Sequence, residues 1–144
     1  MNLLLPPSLT DKDRIENRLL TLAAVFLFLF CVALSLSSAV RLHSWDVSYR
    51  LGHWAGFAIW LVGFTLLHRQ LGSLMPDRDP YVLPIVALLS GWGLLTIYRL
   101  NSDFGIRQTL WLGLCLLMLW LAARIPGLLI LLRRYKYLWL LAGL

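Results

Sequence analysis

The feature that most constrains this 144-residue chain is a run of 22 positions, residues 19–40, without a single Asp, Glu, Lys, Arg or His. Three further apolar runs follow at residues 51–67, 81–98 and 109–123. As a helix, the first run is about 33 Å long, enough to cross a hydrocarbon layer of about 30 Å. Because lipid offers no water to satisfy backbone groups, such runs have to be helical. The sequence therefore predicts an all-α, polytopic transmembrane helical bundle with four spans.

A further apolar stretch begins after the basic residues 133–136 and covers residues 137–144. Eight residues make about 12 Å of helix, less than half a crossing. We therefore expect four spans plus the start of a fifth, in a chain that is truncated relative to something longer. The alternative is that residues 137–144 lie in the membrane interface as a short amphiphile.

The positive charge of the chain lies at the ends of the apolar runs. Only 14% of the residues are charged, against about 25% in soluble proteins, and the net charge is +6. With a cytoplasmic amino terminus, the inner segments hold nine Lys and Arg residues and the outer loops four, so the positive-inside bias predicts that orientation. Charges so placed indicate topology and not a phosphate-binding patch, so we expect membrane lipids and no nucleic acid as partners.

Small residues recur at helical spacing in the second and third runs. Gly52 and Gly56 form a GxxxG pair, and Gly63 extends the stripe along the same run. Ala87 and Gly91 repeat the spacing in the third run. An apolar side chain gains little free energy when it exchanges lipid for another helix. Membrane helices therefore associate where small residues let their backbones approach closely. These five positions are therefore predicted to lie at helix contacts.

Chemically reactive groups are scarce in the predicted spans. All seven Asp and Glu residues lie in the predicted loops or the amino-terminal tail. Because ionisable groups inside a membrane usually serve a function, this distribution argues against a pump or an ion-coupled transporter. The sequence shows no nucleophile with a base, no paired carboxylates and no phosphate-binding loop. We expect no catalytic residue, no metal site and no cofactor in this chain.

His53, beside Trp54 near the outer end of the second run, is the weak candidate for a cofactor ligand. Imidazole is a common axial ligand of haem and related pigments. The alternative is an interfacial histidine that shares the headgroup region with Trp54. His68 is 15 residues further on, about 22 Å along a helix, so the two histidines cannot share a metal.

The second half of the chain carries an ordered pattern of residues. It covers residues 79–144 and consists of Asp79-Pro80, Gly91, Gly93, Ile97-Tyr98-Arg99-Leu100, Phe104, Arg107-Gln108, Leu110-Trp111, Arg133-Arg134-Tyr135-Lys136-Tyr137 and Trp139. This pattern resembles the opening of the FtsW/RodA/SpoVE family, the shape, elongation, division and sporulation polymerases.

The resemblance implies a part of a multi-helix peptidoglycan glycosyltransferase of the bacterial plasma membrane, which polymerises lipid II, usually with a penicillin-binding transpeptidase. The essential aspartate of that family lies in a large outer loop much later in the chain. No catalytic residue carries over, and the chain alone is expected to be inactive. Arg107 and Gln108 match the basic-Gln pair at the outer end of the family's second core helix, which implies a positional role.

The resemblance also implies three regions: a cytoplasmic segment (residues 1–18), an added two-helix extension (residues 19–67) and the opening helices of the polymerase core (residues 79–144). It does not distinguish a division role from a cell-shape role. One alternative is a small accessory subunit of a respiratory or photosynthetic complex, with helix packing and a pigment or quinone contact as its role. A small transporter or channel element is disfavoured by the lack of polar groups within the spans.

Overall fold

The computed structural model of the chain describes residues 9–43, 51–75 and 78–125. They form four helices: α1 (Leu9–Leu42), α2 (Gly52–Leu74), α3 (Val82–Leu100) and α4 (Ser102–Arg124). The all-α prediction is confirmed for this part of the chain. The predicted fifth apolar stretch lies outside the described residues.

Three of the four helices extend well beyond the apolar runs that predict them. α1 is helical through residues 9–18, the end of the predicted cytoplasmic segment, and α2 continues seven residues past its run. α4 begins at Ser102, where the side chain of Asn101 accepts a hydrogen bond from the backbone N–H of Asp103 (2.9 Å). A capping side chain satisfies one of the free N–H groups of the first turn, so a polar first turn is stable as helix.

Three helical segments among the described residues are long and apolar enough to cross a membrane: Asp11–Ser37, Val82–Leu100 and Ser102–Arg124. α2 is as long as α4 but is not among them. Its last turns contain the polar sequence His68-Arg69-Gln70, which lowers its hydropathy. By length and composition the described chain therefore has three candidate spans, one fewer than the sequence predicts.

Large apolar side chains cover the outer surface of the bundle. Leu22, Leu89 and Leu110 are each more than 60% exposed, and many similar side chains surround them. In water, an apolar surface this extensive would drive aggregation, whereas lipid solvates it. The exposed face of the bundle is the surface of a membrane protein.

The helices alternate in direction. Glu16 near the start of α1 contacts His68 near the end of α2, and Cys31 further along α1 contacts His53 near the start of α2. α3 and α4 are joined by Asn101 alone and also run in opposite directions. We call the end of the bundle that holds Glu16 and His68 the base, and the end that holds His53 and Asn101 the top.

The parallel pair α2 and α4 is packed through small residues. A Cβ built on Gly56 would lie 3.0 Å from Oγ1 of Thr109, and one built on Gly63 would lie 2.5 Å from Cδ1 of Leu116. Both pairs of positions are seven residues apart, so the contact repeats every two turns, as in left-handed helix pairs.

The centre of the bundle is formed by α1, α2 and α3. The indole Nε1 of Trp60, which is 2% exposed, donates a hydrogen bond to the carbonyl of Ala87 (2.8 Å). A Cβ at Gly91 would overlap Cδ1 of Leu27 and lie 2.9 Å from the same indole nitrogen. Ala87 and Leu27 are fully buried. The two small residues of α3 therefore leave the space that the Trp60 ring and Leu27 fill.

Candidate functional site

Three polar side chains are buried among the described residues: Glu16, His53 and Thr109. Glu16 belongs to a group of four charged or polar residues at the base, which we call the base cluster: Asp13, Glu16, His68 and Arg78. His53 and Thr109 lie at the top, in two separate contacts.

In the base cluster, both carboxylate oxygens of Glu16 have partners. Oε1 lies 2.8 Å from Nδ1 of His68, and Oε2 accepts from Nε of Arg78 at 2.9 Å. Nη2 of Arg78 also lies 2.8 Å from Oε2 and 3.4 Å from Oδ1 of Asp13. A buried carboxylate is tolerated only when it is paired and hydrogen-bonded, and here both conditions hold. The cluster joins the start of α1 to the end of α2 and to the segment that precedes α3.

The sequence does not reveal the base cluster. It places Glu16 in a cytoplasmic segment, whereas the structure buries it to 1% exposure. Asp13 and Glu16 are three residues apart and so share one face of a helix, which is the one local hint. The partners of Glu16 lie 52 and 62 residues away. No local pattern indicates contacts at that separation.

At the top, His53 joins α2 to α1. Its Nε2 lies 3.1 Å from the carbonyl oxygen of Cys31 and 3.0 Å from Oγ of Ser35. Nε1 of Trp54 donates to the same Ser35 hydroxyl at 3.0 Å. A haem or pigment bound through Nε2 would break these contacts. The geometry therefore gives His53 a helix-joining role.

The proximity of Ser35 and His53 does not make a nucleophile–base pair. A carbonyl oxygen can only accept, so the contact with Cys31 requires a hydrogen on Nε2 of His53. A ring nitrogen that carries hydrogen cannot take the proton of the Ser35 hydroxyl. Ser35 also donates to the Cys31 carbonyl (3.0 Å).

Tyr98 makes the second contact at the top. Oγ1 of Thr109 donates to the carbonyl of Gly105 (2.9 Å), so the Tyr98 hydroxyl, also 2.9 Å away, donates to Thr109. The Tyr98 ring lies against three glycines. A Cβ built on Gly52 would lie 3.7 Å from the ring and one built on Gly56 would lie 2.9 Å from it, and a Cβ on Gly105 would overlap the ring. The five small residues predicted to pack, Gly52, Gly56, Gly63, Ala87 and Gly91, all face another helix.

Arg107 and Gln108 are exposed on the first turns of α4. They border a groove of about 470 Å³ at the top, between the end of α3 and the start of α4. We call it the top groove, and its lining is Ile97, Leu100, Asn101, Phe104, Arg107, Gln108 and Trp111.

A second groove, also of about 470 Å³, runs between α2 and α4 and is lined by apolar residues from Ala58 to Trp120. Near its basal end, Nε2 of Gln70 donates to the carbonyl of Trp120 (2.9 Å). Oε1 of Gln70 is buried and has no partner among the described residues. Such an acceptor is costly unless a further group supplies a hydrogen bond.

No described group of three or more His, Cys, Asp or Glu residues is arranged to hold a metal ion. Cys31 is buried and Cys115 is exposed, and both are free thiols. The buried polar side chains of the described bundle all take part in contacts between its segments. Further apolar grooves lie along α1 and α3 and beside Arg78, and the two grooves described above are the ones bordered by Arg107 and by Gln70.

The chain is similar to the peptidoglycan glycosyltransferase RodA of Mycobacterium leprae (strain TN), with 35% identity over 95 residues. The match covers 66% of this chain and 19% of RodA, so the chain spans about a fifth of the length of that relative. No family profile and no solved structure matches the chain.

The length of the match shows that it is not confined to the residues that carry the family resemblance. Residues 79–144 number 66, so at least 29 matched residues precede them. Wherever a match of 95 residues begins in a chain of 144, it includes residues 50–95. The similarity to RodA therefore includes all of α2, which belongs to the predicted two-helix extension.

Proposed function

We propose that this chain is the amino-terminal, membrane-embedded part of a peptidoglycan glycosyltransferase that polymerises lipid II in the bacterial plasma membrane. The observation that carries the proposal is the 35% identity with RodA across a stretch that includes α2 and most of α3. The apolar helices support a membrane location. Lipid II as the substrate and a penicillin-binding transpeptidase as the partner follow from the family resemblance.

Within that protein, the described helices act as a scaffold. Their buried polar groups are used in contacts between helices: Glu16 with Arg78, His53 with Cys31, and Tyr98 with Thr109. General acid–base catalysis needs a positioned group that reaches the substrate. We expect the catalytic aspartate to lie elsewhere in the longer protein, and this chain alone to be inactive.

We also propose that α2 crosses the membrane, which gives four spans with a cytoplasmic amino terminus. α2 has 23 residues, about 35 Å of helix, and packs against each of the other three helices. Contact between Glu16 and Arg78 requires both residues to be on one side of the membrane. The distribution of Lys and Arg supports the cytoplasm as that side.

The reading frame beyond codon 144 in the source genome tests the fragment proposal. The expected result is an open frame that encodes further spans and a long outer loop containing an aspartate. A stop codon followed by unrelated sequence would contradict the proposal and favour an accessory subunit.

A chimera tests the activity. This chain would replace the matched part of M. leprae RodA, and lipid II polymerisation would be measured in proteoliposomes. We expect polymerisation by the chimera and none by the 144-residue chain alone. The matched control is the chimera with Glu16→Ala, which disrupts the base cluster. An inserted, folded chimera without activity would count against a shared scaffold role.

Labelling of single cysteines tests the topology. Cys31 and Cys115 are replaced by Ala, and cysteine is introduced at Asn101 or at Met75, both exposed. A membrane-impermeant maleimide added to intact cells should label N101C and should reach M75C only after permeabilisation. Labelling of M75C in intact cells would overturn the proposed orientation.

A further inference from the structure

α4 carries two pairs of arginine and tryptophan at the same spacing, one at each end. At the base, the guanidinium carbon of Arg124 lies 4.0 Å from the centre of the Trp120 ring, four residues earlier. At the top, Arg107 precedes Trp111 by four residues, and no such stacking joins them in the described structure. A cation over an aromatic ring is partly satisfied by the ring. Arg124 is therefore engaged within the chain, and Arg107 is not.

Arg107 also lacks a carboxylate partner within the described structure. The three ion pairs of that part of the chain all lie in the base cluster. Asp103, one turn before Arg107, does not pair with it. Arg99, exposed at the end of α3, adds a second positive charge to this end of the bundle. Among the described residues of these two helix ends, two arginines against one aspartate leave a net positive charge beside the top groove.

The shape of the top groove combines apolar walls with a polar rim. Leu100, Phe104 and Trp111 are 81%, 60% and 63% exposed, so their apolar surface is uncovered in the described bundle. Arg107 and Gln108 supply hydrogen-bond donors at the border of the groove. Aromatic and basic side chains together at a helix end are typical of the headgroup level of a membrane.

We propose that the top groove binds the headgroup of an anionic phospholipid, with its phosphate on the guanidinium of Arg107 and one acyl chain along the apolar wall. A guanidinium binds phosphate through two parallel hydrogen bonds. The amide of Gln108 supplies a further donor. The positive charge of the site favours an anionic lipid such as phosphatidylglycerol over a zwitterionic one, whose cationic group would meet Arg99 and Arg107. The lipid site does not rest on the proposed glycosyltransferase function. The proposed topology places the top groove, and with it this site, in the outer leaflet.

Native mass spectrometry of the purified full chain in detergent tests this site. Phosphatidylglycerol and phosphatidylcholine are titrated separately into wild type, R107A, R107K and R124A. We expect wild type to prefer phosphatidylglycerol, R107A to bind it about tenfold more weakly, and R107K to lie between them. R124A is the matched control on the same helix, and its binding should equal that of wild type because its guanidinium stacks on Trp120.

Three results would overturn the proposal. Equal binding by R107A and R124A would show nonspecific annular lipid, and equal binding of the two phospholipids would remove the role of charge. Displacement of phosphatidylglycerol by equimolar undecaprenyl diphosphate would make the groove a substrate subsite instead. Circular dichroism establishes that each variant is folded, and Arg107 is exposed, so its substitution leaves the helix contacts in place.

Discussion

The two ends of the bundle are held together by different forces. The base joins α1, α2 and the start of α3 through buried charges centred on Glu16. The top joins its helices through neutral hydrogen bonds and close packing of Tyr98 on glycine. The stability of a buried charge cluster depends on the presence of every partner. The stability of a closely packed contact depends on the small size of the residues that form it. The two ends should therefore respond to different substitutions.

The largest expected effect is at the base. Glu16→Ala leaves His68 without its carboxylate and the largely buried Arg78 with only the exposed carboxylate of Asp13. Loss of one partner of a buried ion pair costs about 3–5 kcal/mol. Glu16→Gln retains the shape and should cost less. The free energy of unfolding, measured by steric trapping in bicelles, would show the difference. Asp13→Ala is the control: Asp13 is 61% exposed, and an exposed pair contributes about 1 kcal/mol or less. Equal losses for Glu16→Ala and Asp13→Ala would show that the base does not depend on buried charge.

The second-largest expected effect on the unfolding free energy is at the top of the bundle. A Cβ at Gly105 would lie 2.5 Å from Cγ of the Tyr98 ring, and a ring cannot give way as a flexible chain end can. Gly105→Ala should therefore cost about 1–3 kcal/mol of unfolding free energy through overpacking. A Cβ at Gly93 would meet no atom within 4 Å, so Gly93→Ala should stabilise the helix by up to about 1 kcal/mol. A change of the unfolding free energy in the same direction for Gly105→Ala and Gly93→Ala would contradict close packing at Tyr98.

A smaller effect should follow removal of the Tyr98 hydroxyl. Tyr98→Phe loses the bond to Thr109 but keeps the ring on the glycines. Hydrogen bonds between membrane helices contribute about 0.6 kcal/mol on average, so the loss should be of that size. Tyr81→Phe, at an exposed position, is the control. A loss of unfolding free energy as large as that of Gly105→Ala would show that the Tyr98 hydroxyl, and not the packing of its ring, stabilises the top of the bundle.

The smallest expected effect concerns His53. Because Nε2 is occupied by contacts with α1, we expect the purified protein to show no visible absorption band, and His53→Ala to leave the spectrum unchanged. A pigment band that disappears in His53→Ala would restore the ligand interpretation.

The sequence predicts those parts of the fold that depend on local composition. The apolar runs locate all four helices. At Gly56, Gly63 and Gly91, three positions of the predicted small-residue stripes, an added Cβ would meet side chains of another helix. The end of α2 is less predictable, because its polar last turns, with His68 held by Glu16, continue the helix past the apolar run. The pairing of Glu16 with Arg78 could not be predicted, since it arises only when the folded chain brings residues 62 positions apart together.

In the candidate site, too, the residue types could be predicted from the sequence and the contacts between helices could not. Arg107 and Gln108 could be selected from the family pattern, but the groove beside them is formed by both α3 and α4. The contact of Tyr98 with Gly105 combines one residue of that pattern with a glycine outside the predicted stripe. A pattern along the chain identifies residue types, and the crossing of two helices determines what they form.

The bond from the Trp60 indole to the carbonyl of Ala87 has a consequence for how this bundle tolerates mutation. Its acceptor is a main-chain atom, so an exchange of the side chain at position 87 for one of similar size leaves the acceptor in place. The same bond is lost when position 60 changes to any residue without a donor of that reach. At this level α2 therefore has to keep an indole at position 60, whereas α3 has to keep only the small size of its side chains at positions 87 and 91.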